Sequence, residues 1–224
     1  MATAKRELKF LLADPERRLL VAIAGRLPRA VTSNHLTGIG VVGSLGAGVA
    51  YALSGFHPGW LLVASLMIAL NWFGDSLDGT VARVRKAERP KYGYYLDHIV
   101  DAFSTAAIGI GIGLSPFADL AFALALVVAY LALSINVYLE SAVFGVFELA
   151  YGKLGPTEAR LILIAGNIAL ALAAMLGVDV RSIAWVTNGI ALLLTGGMVW
   201  VLAGRFGRNI RALAALEPRR RLDA

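Results

Sequence analysis

The chain contains no cysteine, which excludes disulfides, thiol nucleophiles and thiolate metal sites together. Charge is scarce as well. Only 16% of the 224 residues are Asp, Glu, Lys or Arg, where an ordinary soluble domain carries about a quarter. With 58% of residues hydrophobic, there is no room for a separate soluble domain. What is present instead is a series of apolar runs near the roughly 18–20 residues that span a bilayer. Six are read, at 37–57, 60–80, 95–115, 118–139, 159–178 and 182–203. His57-Pro58-Gly59, Ser115-Pro116 and Gly155-Pro156 supply turn-forming breaks between them. The fold class expected is all-α integral membrane: six transmembrane helices in one domain (37–203), an N-terminal interfacial amphipathic segment (1–36) and a basic tail (204–224).

Charge of one sign is missing from one side. With six spans, every Lys and Arg except Arg181 falls in the N-terminal segment, the 81–94 and 140–160 connections or the tail. Basic residues collect in cytoplasmic loops, so both termini and both connections are expected in the cytoplasm. The net charge of +6 then describes a membrane face and calls for no nucleic-acid partner. Residues 1–18 mix basic and acidic side chains, and no apolar core with a small-residue cleavage site follows, so no secretory signal is expected. Asp14-Pro15-Glu16 reads as an N-cap followed by proline at the first helical position. Leu19, Leu20, Ile23 and Leu27 share a helical face, which suits a helix lying in the headgroup region with its arginines near anionic lipid. The plainer alternative is a solvated basic tail.

Against this background, four aspartates stand out. Asp75 and Asp78 fall near the cytoplasmic end of the second span, and Asp97 and Asp101 in the first turns of the third. Spacings of three and four residues put each pair on one helical face, at one depth. Two facing helices would gather four carboxylates, which cannot stay ionised together in a low-dielectric site without cations. Hard oxygen ligands point to Mg²⁺, Mn²⁺ or Ca²⁺, and a phosphate-bearing substrate favours Mg²⁺. Gly79 and Ala82 lie one turn after Asp75 and Asp78, and Gly93 one turn before Asp97; small residues there let a flat ligand approach the backbone. Arg83 offers a fork of donors to a phosphate. Carboxylates for metal, small residues for access and an arginine for anion fit phosphoryl transfer.

The pattern Asp75-x2-Asp78-Gly79-x2-Ala82-Arg83-x9-Gly93-x3-Asp97-x3-Asp101, eight positions over 27 residues, resembles the signature of the CDP-alcohol phosphotransferase (CDP-alcohol phosphatidyltransferase) family. The six-span layout and "SNHLTGIG" before the first span are similar to the family too. The resemblance implies two divalent cations held by Asp75, Asp78, Asp97 and Asp101, with Asp101 doubling as general base. It implies a nucleotide lying against Gly79 and Ala82, with Arg83 near its phosphates, Gly93 on the partner helix, and Asn34 and Thr37 reaching in from the first span. The implied donor is a CDP-linked alcohol, usually CDP-diacylglycerol, which passes its phospho-alcohol to a small alcohol acceptor and releases CMP. A homodimer in a bacterial cell membrane, with a cytoplasmic active site, is the expected setting.

Other polar residues carry weaker signals. Asn34 and Thr37 also suit capping of the first span. His98 points roughly 100° away from Asp97 along the helix and reads as a packed histidine, although aminoalcohol phosphotransferases of the family also carry Asp-His here. That keeps a CDP-choline or CDP-ethanolamine donor as an alternative. The glycines of "GIGVVGSLGAG" and "AIGIGIGL" read as close helix packing. Asn136, Tyr138 and Glu140 at the end of the fourth span, and Glu158 and Arg160 at the start of the fifth, border the acid pocket as candidate acceptor contacts. Gly155-Pro156-Thr157-Glu158 equally reads as a helix start. Arg160, Lys153 and the tail are the nearby basic groups, a small number that favours an uncharged or zwitterionic acceptor. A transporter with an acidic cation site and a silent scaffold are the rivals of another class; the clustering of the acids at one end of two helices argues against transport.

Overall fold

The computed structural model describes residues 10–144 and 155–217. Among the described residues there are seven helices and no strand. They are α1 (Ala13–Arg26), α2 (Ser33–Leu53), α3 (Trp60–Val84), α4 (Pro90–Gly113), α5 (Leu120–Phe144), α6 (Pro156–Met175) and α7 (Val180–Leu216). Five of these, α2, α3, α5, α6 and α7, are long and apolar enough to cross a membrane. The expected third span corresponds to α4, which has 24 residues, begins at Pro90 and carries Asp97, His98 and Asp101 in its first half. Lys153, residues 1–9 and the last seven residues of the basic tail lie outside the described residues. The helix α7 continues to Leu216, well into the segment read as tail.

Glycine sets the approach of α2 to its neighbours. A Cβ added at Gly74 would stand 2.5 Å from Leu36 O and 2.8 Å from Gly40 Cα; one at Gly43 would stand 2.8 Å from Asn71 Cα. On the other flank, a Cβ at Gly111 would meet the Gly48 carbonyl carbon at 2.7 Å. These contacts are backbone against backbone, as the packing reading of the glycine runs anticipated. Asn71 reinforces the seam by donating to Gly40 O at 3.0 Å. Farther along, Tyr51 of α2, Ser65 of α3 and Asn167 of α6 form a buried polar chain, with Tyr51 Oη donating to Asn167 Oδ1 at 2.8 Å.

The pairings fix helix directions. Gly40 with Gly74 makes α2 and α3 antiparallel; Arg160 with Asp75 does the same for α3 and α6, and His98 with Tyr138 for α4 and α5. One end of the bundle therefore collects the starts of α2, α4 and α6 and the ends of α3 and α5. All the candidate site residues lie there.

α1 packs on that end rather than trailing away. Leu20 and Ala24 bury against Leu36, Leu77 and Val81, with Ile23 and Leu27 beside them, while Arg17, Arg18 and Arg26 stay exposed. The start of α1 differs from the reading of Asp14 as N-cap. Leu12 is the cap residue, without a side-chain cap, and Asp14 lies inside the first turn. The Leu12 N–H donates instead to Glu158 Oε1 of α6 at 2.8 Å, so a distant carboxylate takes the cap N–H that a third-position side chain takes in a capping box and that Pro15 cannot. Between α1 and α2, Arg85 reaches back from the end of α3 and donates to the carbonyls of Leu27, Pro28 and Val31.

Candidate active site

The first turns of α2 are fixed by Thr32, whose hydroxyl accepts from His35 N while His35 Nδ1 accepts from Thr32 N, a capping box. Because Thr32 takes the cap, Asn34 and Thr37 are spared that role. Thr37 donates to Asp78 Oδ2 at 2.5 Å, and Ser33 donates to Asp78 O at 2.9 Å. Asn34 Nδ2 lies 3.4 Å from Tyr92 Oη at the start of α4.

Asp75, Asp97 and Asp101 each offer a carboxylate oxygen within 4.8 Å of the others. Asp78 stands outside that group, its carboxylate held by the Thr37 hydroxyl and by the Gly79 N–H. Three of the four expected ligands thus converge, and the fourth is tied to the α2 flank. Asp97 is the most open, with 46% of its side chain exposed against 21% for Asp75, so the cluster faces outward on its α4 side. Arg160, from the first turns of α6, donates to Asp75 Oδ2 at 2.7 Å. One guanidinium against this set of carboxylates leaves a concentration of negative charge that hard divalent cations fit.

The small residues divide into two kinds. A Cβ at Gly93 would meet nothing within 4 Å, and one at Gly79 would meet only the tip of the Arg83 guanidinium, at 3.3 Å. Neither glycine is required by packing, unlike Gly43, Gly74 and Gly111. Both leave room beside the acids for something from outside the chain. Ala82 is half-buried on the same stretch. Arg83, exposed, lies folded over Gly79 with Nη2 donating to Thr80 Oγ1 at 3.0 Å.

The candidate acceptor residues separate. Glu158 is buried; its oxygens accept from Leu12 N and from Gly155 N at 2.9 Å, which makes it the helix-start glutamate of the second reading. Glu140 is buried against α7, where Arg205 Nη2 donates to Oε2 at 2.6 Å and Asn136 and Asn209 donate to Oε1. Tyr138 faces the other way: its ring lies 4.4 Å from that of His98, which also stacks on Tyr94 at 4.1 Å. His98 is packed between these two rings, but it does not point clear of Asp97 as its helical angle suggested, since its Nδ1 lies 3.4 Å from Asp97 Oδ2.

The comparisons with known proteins follow the same residues. The family model described as CDP-alcohol phosphatidyltransferase matches residues 30–202, which takes in all of the site. The chain belongs to the CDP-alcohol phosphatidyltransferase family. Among relatives, a phosphatidylinositol phosphate synthase of Cutibacterium acnes is 38% identical over 98 residues, which is 43% of this chain and 45% of that protein. An archaetidylinositol phosphate synthase of Methanothermobacter thermautotrophicus is 31% identical over 153 residues, 68% of this chain and 73% of that protein. The first match thus spans less than half the length of the relative. CDP-alcohol phosphatidyltransferases are transferases of phosphate-containing groups, and the Asp75, Asp97 and Asp101 carboxylates form a group able to hold a metal ion. Sequence reasoning missed Arg85, Glu16, Ser33 and Tyr92 as supports of the site. Each acts across tens of residues, and no local spacing announces it.

Proposed function

We propose that the protein transfers a phosphatidyl group from CDP-diacylglycerol to the hydroxyl of an acceptor alcohol, releasing CMP, with Mg²⁺ bound. The observation that carries the reading is the convergence of Asp75, Asp97 and Asp101 within 4.8 Å, flanked by Gly79 and Gly93 with free space above their backbones. Asp75, Asp78, Asp97 and Asp101 would hold two divalent cations, Mn²⁺ being a substitute. Held by these carboxylates, the cations would supply charge neutralisation for the diphosphate and for CMP as leaving group. Gly79 and Ala82 admit the nucleotide, with Gly93, Asn34 and Thr37 around it and Arg83 turned to its phosphates. Asp101 takes the acceptor's proton, the acceptor oxygen bonds to the lipid-bearing phosphorus, and the bond from that phosphorus to CMP breaks. A lipid donor and a water-soluble acceptor both reach a site at the end of an apolar bundle.

The names of the two relatives put a phosphorylated inositol at the head of the acceptor panel. Arg160 is the cation best placed for its phosphate. The aminoalcohol alternative rested on Asp97-His98, and the stacking of His98 between two tyrosines gives it no added support. The distribution of Lys and Arg supports a cytoplasmic site in a bacterial cell membrane, with α4 as a sixth span. A homodimer is proposed from family likeness, and its mass in nanodiscs tests it. The activity is tested with purified protein in nanodiscs, CDP-diacylglycerol, Mg²⁺ and a panel of alcohols led by inositol phosphate. CMP should appear only with a suitable acceptor. Cation flux without CMP release would instead favour a transporter.

A further inference from the structure

Glu16 and Glu158 reach past each other between α1 and α6. Glu16 Oε1 accepts from Thr157 Oγ1 in the first turn of α6 at 2.6 Å, and from Trp72 Nε1 at 2.8 Å and Ser76 Oγ at 3.4 Å on α3. Glu158 runs the opposite way, accepting the Leu12 N–H at the start of α1. The neighbours of these partners matter. Ser76 follows Asp75 in the chain, and Arg160 stands two residues after Glu158 with its guanidinium on Asp75. The two carboxylates therefore grip both halves of the Asp75–Arg160 pair from behind.

We propose that Glu16 and Glu158 are positioning residues that hold the first turn of α6 against α1 and α3, and so set Arg160 at the acceptor side of the acid cluster. One Glu16 oxygen accepts from Thr157 on α6 and from Trp72 and Ser76 on α3, and donors on two different helices make Glu16 a junction rather than a surface charge. Glu158 is buried, so its loss would leave two backbone N–H groups without their acceptor. The role given to Arg160 rests on the transfer reaction proposed above, whereas the grip of α1 on α6 does not.

The lack of cysteine lets the test be made cleanly, with spin labels on cysteines introduced at the exposed Arg18 and Leu161. Glu16→Ala should broaden the α1–α6 distance distribution and raise the acceptor KM about 10–100-fold, the usual effect of losing a group that orients a site residue. The CDP-diacylglycerol KM should stay within about twofold. Glu16→Gln, whose carbonyl still accepts, should restore most of both, and Thr157→Val, which removes one bond, serves if Glu16→Ala fails to fold. On an Arg160→Ala background, Glu16→Ala should add no further loss. The proposal is overturned if distances and acceptor KM are unchanged, if both substrate KM values rise alike, or if the effects of Glu16→Ala and Arg160→Ala add in full. Should the wild type release no CMP with any acceptor, the transfer reading fails, and the distance measurement still decides whether the grip exists.

Discussion

Gly74→Ala separates packing from ligand access most sharply. The new methyl would lie 2.5 Å from Leu36 O and 2.8 Å from Gly40 Cα, where ordinary contact is 3.4–4 Å. No flexible side chain is there to yield, so α2 and α3 must part by about 1 Å. Overpacking of this kind costs about 1–3 kcal/mol, or roughly 2–12 °C of melting temperature at about 2–4 °C per kcal/mol for a chain of this size. The same displacement stretches the 2.5 Å bond from Thr37 to Asp78 and the 2.9 Å bond from Ser33 to the Asp78 carbonyl, so donor affinity should fall as well. Gly93→Ala is the control, since its methyl meets nothing within 4 Å. It should melt like the wild type and lose donor affinity alone. Thermal unfolding followed by tryptophan fluorescence in nanodiscs, with CDP-diacylglycerol binding by calorimetry, measures both. A Gly74→Ala protein as stable as the wild type would refute the seam described here.

Asp101→Asn should lower turnover by about 10²–10⁴-fold, the usual loss of a general base, while CDP-donor binding with Mg²⁺ survives. Asp75→Asn should weaken metal and donor binding together, and equal loss of donor binding in both variants would show Asp101 to be chiefly a ligand. Gly79→Leu should abolish donor binding with little change in melting temperature, because only the Arg83 tip stands near its Cβ; a large drop in stability would contradict that. Glu140→Ala removes the carboxylate from the buried Arg205 guanidinium, and breaking a buried pair costs about 3–5 kcal/mol. Its melting temperature should fall well below that of the wild type, with Glu140→Gln also low because the amide leaves the Arg205 charge uncompensated, and a Glu140→Gln protein as stable as the wild type would argue that the charge is unimportant. EDTA should stop CMP release and added Mg²⁺ restore it, with activity that persists in EDTA counting against the metal assignment.

Much of the bundle was legible because its signals are local. An apolar run of bilayer length needs no partner to be recognised, and the i, i+3 and i+4 spacing of Asp75, Asp78, Asp97 and Asp101 places each pair on a face by helix geometry alone. The glycine runs were likewise readable as packing, though which glycine touches what was not: Gly93 and Gly111 look alike until a neighbouring backbone is present or absent. The ambiguous residues were those with two local explanations. Glu158 suited both a helix start and an acceptor contact, and its burial together with Leu12 N resolves its contacts in favour of the first. The start of α1 was misplaced by the Asp14-Pro15 pattern because the deciding group sits on another helix. Arg85 on the carbonyls of 27–31 and the threefold acceptor Glu16 belong to the same class: side chains bonding far along the chain, with no periodicity to betray them.

The grip between α1 and α6 also constrains how the molecule is made. Thr157 follows Glu16 by 141 residues and Glu158 follows Leu12 by 146. At about 5–20 residues per second, α1 is made roughly 7–29 s before these partners on α6. Leu20 and Ile23 find their apolar partners Leu36, Leu77 and Val81 earlier, so it is the polar ends of the grip, Glu16 and the Leu12 N–H, that wait for α6. α1 is thus docked in two stages, its apolar face on α2 and α3 first and its polar start on α6 once that helix exists.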